Sequence, residues 1–553
     1  MRHITQLRSM ARDYTSRWLG DPIAVEGTFP RPFFWLCLAC LIGYALGIQG
    51  DFMLDDHVVL FGAKGIENKN LLDLIMGRQH FFYRPLGHLV LFFCQPIFGR
   101  HPSGYHAVNL ALLILVVWTA HQIFLELTLK PRVAFTAALL FAVHPFNAFL
   151  VDYITASVIG TFLLSMELSF LAFLRHLRTG ADGAMRLSLL LFAIALLSHE
   201  MGVLMPMIVL CHLHFMLRKN LRETTRLVAP YVVVTAGYLL LRALLFPLSG
   251  TLHGIVAVAP YPARYLGALG ELLGWYFKNL LWPNHVLFLW SAQGDAKHAL
   301  PAAILISGYL IGSAYLLFRY WRQGPAAFSL AMFTCGFLPI LTASFTYVPQ
   351  GYPLIEPHWF YFPSLGFFLL LGLGLEKSRA VGTESLGSLL SVLLVTTWSF
   401  QLIRTHKHWL NEETYSRYWL SQNDRDWTPY HGLGRAYLRK GDPEAASQIM
   451  EQGLARIASS PPAILLTDLA VAHQLAGREG QALHLLALSL SRDPSYVTTY
   501  EVLGGLALRQ GRYPLAQASF TAALNLDPRS MEAKRGLETC SQQLHPLEPK
   551  PAR

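Results

Sequence analysis

The chain has 553 residues, 53% hydrophobic and only 14% charged, with a formal net charge of +10. That length exceeds one ordinary domain, and the apolar excess excludes a wholly soluble globular protein. The positive charge does not call for a nucleic-acid partner, because many Lys and Arg lie in short loops between apolar runs, where they set membrane topology.

Residues 1–32 carry Arg2, Arg8, Arg12, Arg17 and Arg31 and read as a basic, cytoplasmic N-terminal segment. No small-residue cleavage site follows the apolar run from Phe33, so that run is expected to stay as an anchor. Spans of roughly 17–25 apolar residues are sought next and oriented by Lys/Arg. The chain offers them at 33–48, 106–128, 133–150, 155–174, 187–198, 201–217, 228–248, 302–318, 326–346, 359–375 and 385–403. With this assignment every basic cluster between spans falls on one side. Residues 86–99 read as half-inserted, and 260–298, with Trp275, Tyr276, Trp282 and Trp290 among prolines, as an interfacial helix pair. The expectation for 33–403 is an all-α polytopic membrane bundle of about eleven spans. The six cysteines show no disulfide spacing; Cys37 and Cys40 form a CxxC inside a span, where packing explains them better than redox chemistry.

The C-terminal part is polar and repeats. From Trp427, Leu433-Gly434 is followed by Tyr437 and Ala446; from Ala463, Leu469-Ala470 by His473, Ala482 and Pro494. From Val497, Leu503-Gly504 is followed by Ala507, Ala516, Phe520, Ala523 and Pro528, and the starts lie 36 and 34 residues apart. Small residues where two helices cross, and a proline closing the second, are the tetratricopeptide pattern. Three helix pairs over 427–540 predict a short α-solenoid with a concave face. Residues 404–426 read as a linker and 541–553, rich in proline, as a disordered tail.

The residues that bear chemistry concentrate after the first span. Asp55 and Asp56 open a polar, aromatic external loop, 50–85, that ends at Tyr83-Arg84-Pro85. A carboxylate at a membrane surface is costly unless solvated, paired or used. One of the two acids suits a general base that takes a proton from an attacking hydroxyl, while the other holds the acceptor or stabilises charge. The plain alternative is a solvated helix cap. His106, His144, His199 and His358 fall near the outer ends of spans. No cofactor is expected. A divalent metal held by these histidines and the acid pair is the alternative, but no ligand motif such as HExxH supports it, and scattered interfacial histidines usually bond to backbone or lipid phosphate.

The order of Asp55-Asp56-His57, Tyr83-Arg84-Pro85-Leu86, Gly104 to Leu110, Phe141 to Pro145, Ser198-His199-Glu200 and Phe360 to Gly366, followed by the repeats, carries a resemblance. Over roughly 33–530 the chain resembles the transmembrane and tetratricopeptide-repeat O-mannosyltransferases and their bacterial relatives, a branch of the GT-C superfold of lipid-linked-sugar glycosyltransferases. The resemblance implies inverting transfer of a sugar from a polyprenyl-phosphate donor to a hydroxyl on the non-cytoplasmic side. Asp55 or Asp56 would be the catalytic base, Asp55 the first choice. Tyr83, Arg84, His106, Asn109, His144, His199, Glu200, His358 and Tyr361 would bind donor phosphate or substrate. Arg84 is the best phosphate ligand among them, since a guanidinium meets phosphate bidentately; the alternative is an interfacial anchor snorkelling to headgroups. The chain departs from the family pattern where Phe149 and Ser157 stand in place of a Glu and an Arg, where Ser198-His199-Glu200 replaces Ser-Lys-Glu, and where Pro357-His358 replaces Glu-Arg. These departures leave the acid pair intact and make mannose an expectation of the family alone.

The expected partners are a polyprenyl-phosphate-linked sugar, membrane lipids and a protein acceptor bound by the repeats. A bacterial inner membrane, with catalytic loop and repeats periplasmic, is the expected location, and the lumen of the endoplasmic reticulum the alternative. Two other functions compete: the same fold with a lipid or polysaccharide acceptor, and a non-enzymatic envelope scaffold presenting the repeats.

Overall fold

Apolar runs and short amphipathic stretches alternate along the chain, and the computed structural model turns nearly all of them into helix. It describes residues 31–62, 65–76, 84–245, 262–284, 290–291, 296–321, 323–338, 340, 354–380, 384–457, 461–528 and 530–544. Most of the basic N-terminal segment, Tyr83, the Tyr347–Pro353 stretch and residues 545–553 lie outside the described residues. Two compact units emerge: Met1–Gly50 with Leu71–Lys407, and Asp51–Asn70 with His408–Arg553.

In the first unit the helices are α1 (Pro32–Tyr44), then, after α2 of the second unit (Asp56–Phe61), α3 (Leu71–Met76), α4 (Leu89–Phe98), α5 (Pro102–Thr128), α6 (Pro131–Ala142) and α7 (Ala148–Asp152). They continue as α8 (Ser157–Thr179), α9 (Asp182–Ser198), α10 (Met205–Cys211, prolonged by a π turn), α11 (Leu221–Leu245), α12 (Pro262–Leu281), α13 (Ala299–Tyr320), α14 (Gly324–Cys335), α15 (Tyr361–Ala380) and α16 (Glu384–His406). Every expected span holds a helix. Among the described residues, six helical stretches are long and apolar enough to cross a membrane, and a seventh arises if the 53° bend between α6 and the Pro145–Asp152 stretch is counted within one span. The shortfall from eleven has local causes. Pro145, lacking an N–H, breaks the third span after His144, and α1, the stretch Glu200–Met216 and α14 are shorter apolar helices. Among the described residues, the region 260–298 holds the helix α12, a 3₁₀ turn at Ala296–His298 and a two-residue strand, Trp290–Ser291, antiparallel to Leu354–Ile355.

The apolar surface is divided as a bilayer requires. α5, α8 and α15 are largely buried, whereas α11, α13 and α16 turn outward side chains such as Leu240, Ile304 and Val392. Apolar faces of this extent are stable only against lipid or a partner, and the chain is accordingly an integral membrane protein. One polar pair ties the first span to the last: Asp152, at the end of α7, receives His406 Nδ1 at 2.7 Å, and His406 Nε2 reaches Gly43 O at 2.9 Å. Gly47 is required there, because a Cβ would stand 2.1 Å from Asp152 Oδ1.

The second unit comprises α2 and, from the C-terminal part, α17 (Glu412–Gln422), α18 (Thr428–Arg439), α19 (Pro443–Leu454), α20 (Ala463–Leu475), α21 (Glu479–Arg492), α22 (Val497–Arg509), α23 (Tyr513–Leu526) and α24 (Met531–Leu544). The pairs α18–α19, α20–α21 and α22–α23 are the three repeats. Met450, Leu465, Leu469, Leu486 and Leu506 close the core between neighbouring pairs, and Ala516, Phe520, Ala533 and Cys540 seat the last helix. The stretch expected as a linker folds instead: α16 runs to His406, and α17 opens with an Asn411–Thr414 capping box. The helical part also continues to Leu544, past the expected start of the tail.

Candidate functional site

The acid pair sits in a tight turn. Asp51 donates its N–H to Leu410 O at 2.9 Å, which straps the segment to the residues that precede α17. Leu54 then takes a left-handed conformation, φ 50°, costly for a residue with a branched side chain and an indicator of an over-determined turn. Asp56 follows, fully buried, and its Oδ2 accepts the Met53 N–H at 3.0 Å. Asp55 is exposed and stands at the N-cap position of α2 without making a side-chain cap bond. The two carboxylates thus have different duties: Asp56 closes the turn and Asp55 faces outward. Burial, and then the guanidinium groups of Arg435 and Arg439, push His57 below the usual imidazole range.

Within the second unit Arg435 of the first repeat is held by charge. Burial works against it, but Glu412, Asp468 and Asp55 outweigh that and keep it protonated. Glu412 lies 3.9 Å from Arg435 Nε and also pairs with Arg439. One turn earlier on α18, His431 Nε2 meets Asp468 Oδ2 at 2.7 Å.

A second cluster lies in the first unit. Arg84 grips Glu200 with two hydrogen bonds, Nη2 to Oε1 at 2.6 Å and Nε to Oε2 at 2.9 Å. His199, fully buried, accepts the Met201 N–H on Nδ1, so its other nitrogen is the donor; that Nε2 is buried without a hydrogen-bond partner. His358 stands edge-on to His199, ring centroids 5.2 Å apart, and stacks on Phe149 at 5.9 Å. Its Nε2 lies 3.0 Å from Glu356 Oε2 at ion-pair distance but without hydrogen-bond alignment. A buried donor left without an acceptor costs about 1–3 kcal/mol.

The remaining expected site residues serve the backbone. His106 has Val151 O at 2.7 Å and Gly50 O at 3.1 Å on its two nitrogens. Asn109 donates to Tyr153 O and Ile154 O. His144 accepts from Phe146 N and reaches Leu280 O, while Tyr361 donates to Phe146 O at 2.6 Å. All four fasten the broken stretch between α6 and α8 or its neighbours. Sequence reasoning passed over Arg435, the Asp152–His406 pair and Glu167, a fully buried acid inside α8 that meets Thr119. Only for Glu167 was there a signal: an ionisable residue within a span is a functional candidate by default. Asp152 and His406 are separated by 254 residues, beyond any local pattern. Among the described residues no three His, Cys, Asp or Glu gather as a metal site.

Comparison with known proteins agrees with this anatomy. Residues 428–458 match the tetratricopeptide repeat family. The chain is similar to protein O-mannosyl-transferase Tmtc3 of Drosophila melanogaster, 25% identical, over 76% of this chain and 54% of that protein. It is similar to mouse protein O-mannosyl-transferase TMTC3, 24% identical, over 75% of this chain and 48% of that protein. Human protein O-mannosyl-transferase TMTC4 is 30% identical over a shorter stretch, 31% of this chain and 28% of the relative. The chain therefore spans about half the length, or less, of these relatives.

Proposed function

We propose that the protein is a membrane glycosyltransferase that moves a sugar, mannose by analogy with the relatives' names, from a polyprenyl-phosphate donor to a Ser or Thr hydroxyl of a protein. The observation that carries this reading is the division of labour in the acid pair: Asp56 is buried as the turn's brace, and Asp55 is left exposed as a carboxylate. Asp55 takes the hydroxyl proton as the acceptor oxygen attacks the anomeric carbon. The new C–O bond forms on the face opposite the departing phosphate, whose oxygen leaves with the electron pair of the broken bond, and the product is inverted. General base catalysis of this kind contributes about 10²–10⁴-fold. A leaving phosphate is stabilised by fixed donors. Within the first unit, Arg84, whose guanidinium Glu200 holds in place, the Nε2 of His199 and the imidazole of His358 are groups suited to bind a phosphate. The reading sets the acid segment and repeats in the periplasm of a bacterial inner membrane, and gives the repeats the task of holding an extended acceptor peptide.

The test is transfer by the full chain in detergent, with polyprenyl-phosphate mannose, glucose and arabinose offered separately to a Ser/Thr peptide and release of polyprenyl phosphate followed. Release with one donor that disappears in Asp55→Asn is expected. Folded protein that releases no phosphate from any of the three, or an Asp55→Asn variant as active as the parent, overturns the reading.

A further inference from the structure

Protein interiors leave few voids larger than a water molecule, yet a cleft of about 310 Å³ opens between the first two repeats. It is bounded by α19, by α20 towards its end and by the first turns of α21. Leu454, Leu469 and Leu485 are its apolar lining. Leu469 and Leu485 belong to the core between the repeats, and Leu454 packs against that core.

A network of hydrogen bonds braces the cleft. After the left-handed turn at Gly477, φ 78°, Arg478 divides its guanidinium among three partners. Nε donates to His473 Nδ1 at 2.8 Å, and Nη1 and Nη2 donate to Glu444 Oε2 and Ser447 Oγ, each at 2.6 Å. With Nδ1 as acceptor, the proton of a neutral His473 sits on Nε2, which lies 3.1 Å from Glu451 Oε1. Glu444 balances the charge of Arg478, so Glu451, whose side chain is half exposed, gives the cleft a negative charge. Gly480 and His484, from α21, are exposed, and a Cβ on Gly480 would meet nothing within 4 Å.

Small-molecule pockets span about 300–1,000 Å³. This cleft stands at the lower end, a space for one large side chain, and an apolar anchor rimmed by polar groups is how a protein partner is gripped. We propose that the cleft seats one apolar side chain, of leucine or phenylalanine size, from the acceptor protein, with an adjacent Lys or Arg of that protein set against Glu451. The first two repeats then select acceptors by a short local pattern. This rests on the reading of the protein as a glycosyltransferase with a protein acceptor.

Binding is measured by fluorescence anisotropy on the full chain in detergent, with no sugar donor present. The probe is a fluorescein-labelled Ser/Thr/Gly peptide carrying one central Leu-Lys pair; comparison peptides replace the Leu by Ala or the Lys by Glu. The parent is expected to bind the Leu-Lys peptide about tenfold or more tightly than the Ala peptide, and about threefold more tightly than the Glu peptide. Gly480→Trp, which fills the cleft, should erase the Leu preference. Glu451→Gln, which keeps an acceptor for His473, should erase the Lys preference alone. Should Gly480→Trp fail to fold, Gly480→Leu carries the same expectation. Equal binding of the Leu and Ala peptides by the parent, or a Leu preference that persists in the folded Gly480 variant, overturns the proposal. So does a particle mass that falls in Gly480→Trp, which would assign the cleft to a second copy of the chain. Transfer to the same peptides separates the two ideas. Cleft-dependent binding without transfer from any of the three polyprenyl-phosphate sugars overturns the glycosyltransferase reading and leaves the cleft a peptide site; transfer with no Leu preference overturns the cleft and spares the reading.

Discussion

Asp55 and Asp56 are neighbours in sequence and opposites in environment, and substitution should separate them. Asp56→Ala strands the buried Met53 N–H and is expected to destabilise the second unit by about 1–3 kcal/mol, seen as a lower melting temperature. Asp55→Ala should leave that temperature nearly unchanged while abolishing transfer. A second residue-scale expectation concerns Glu501, buried in the third repeat and hydrogen-bonded by Ser530 Oγ at 2.5 Å. Burial raises its carboxyl above the ordinary range, outweighing the Ser530 bond. The folded state therefore holds a proton that the unfolded state releases more readily. The stability linked to this proton is fully present below the ordinary carboxylate value and is lost as pH rises through the raised one. Glu501→Gln should melt higher than the parent by a margin that grows from pH 4 to pH 7; a margin that stays flat would refute the assignment. The presence of an acid pair was legible from sequence. Which member is exposed was not, because that depends on a left-handed Leu54 and a hydrogen bond to Leu410, neither of which leaves a local signature.

At the scale of elements, the repeats were the most legible part, since their crossings demand small residues at fixed intervals. Gly504 and Gly505 test that demand side by side. A Cβ on Gly504 would stand 2.8 Å from the Phe520 ring, whereas one on Gly505 meets nothing closer than the Arg509 tip at 3.9 Å. Ala is the better helix former by about 1 kcal/mol, but overpacking a stiff ring costs about 1–3 kcal/mol. Gly504→Ala should lower the unfolding midpoint in urea, and Gly505→Ala should raise it. The membrane helices were legible as apolar runs, while their lengths were not. Hydropathy does not register that Pro145 interrupts a helix, nor that His144, His106, Asn109 and Tyr361 then bond the freed backbone groups. His106, Asn109, His144 and Tyr361, placed near span ends, hold backbone groups at the break between α6 and α8. Helix within 404–426 begins at an Asn411–Thr414 cap that only its geometry reveals.

At the scale of the whole molecule, order along the chain misleads about membership. The loop after the first span reads as part of the membrane domain, yet residues 51–70 pack with helices that begin past residue 407. No periodicity or composition encodes a contact of that range. Truncation after Lys407 should therefore abolish transfer to a small soluble alcohol as well as to a peptide, because it removes the seat of the acid segment together with the groove; measuring both acceptors on the purified truncation decides this, and retained transfer to the alcohol would contradict it. The same long-range pairing governs biogenesis. Residues 51–70 leave the ribosome early, and their partners follow only after several hundred more have been made. At about 5–20 residues per second the wait is on the order of half a minute, and the loop that must then close is long, which makes this contact among the slowest to form. A nascent chain arrested anywhere in the membrane helices carries its acid pair without the residues past Lys407 that pack with it.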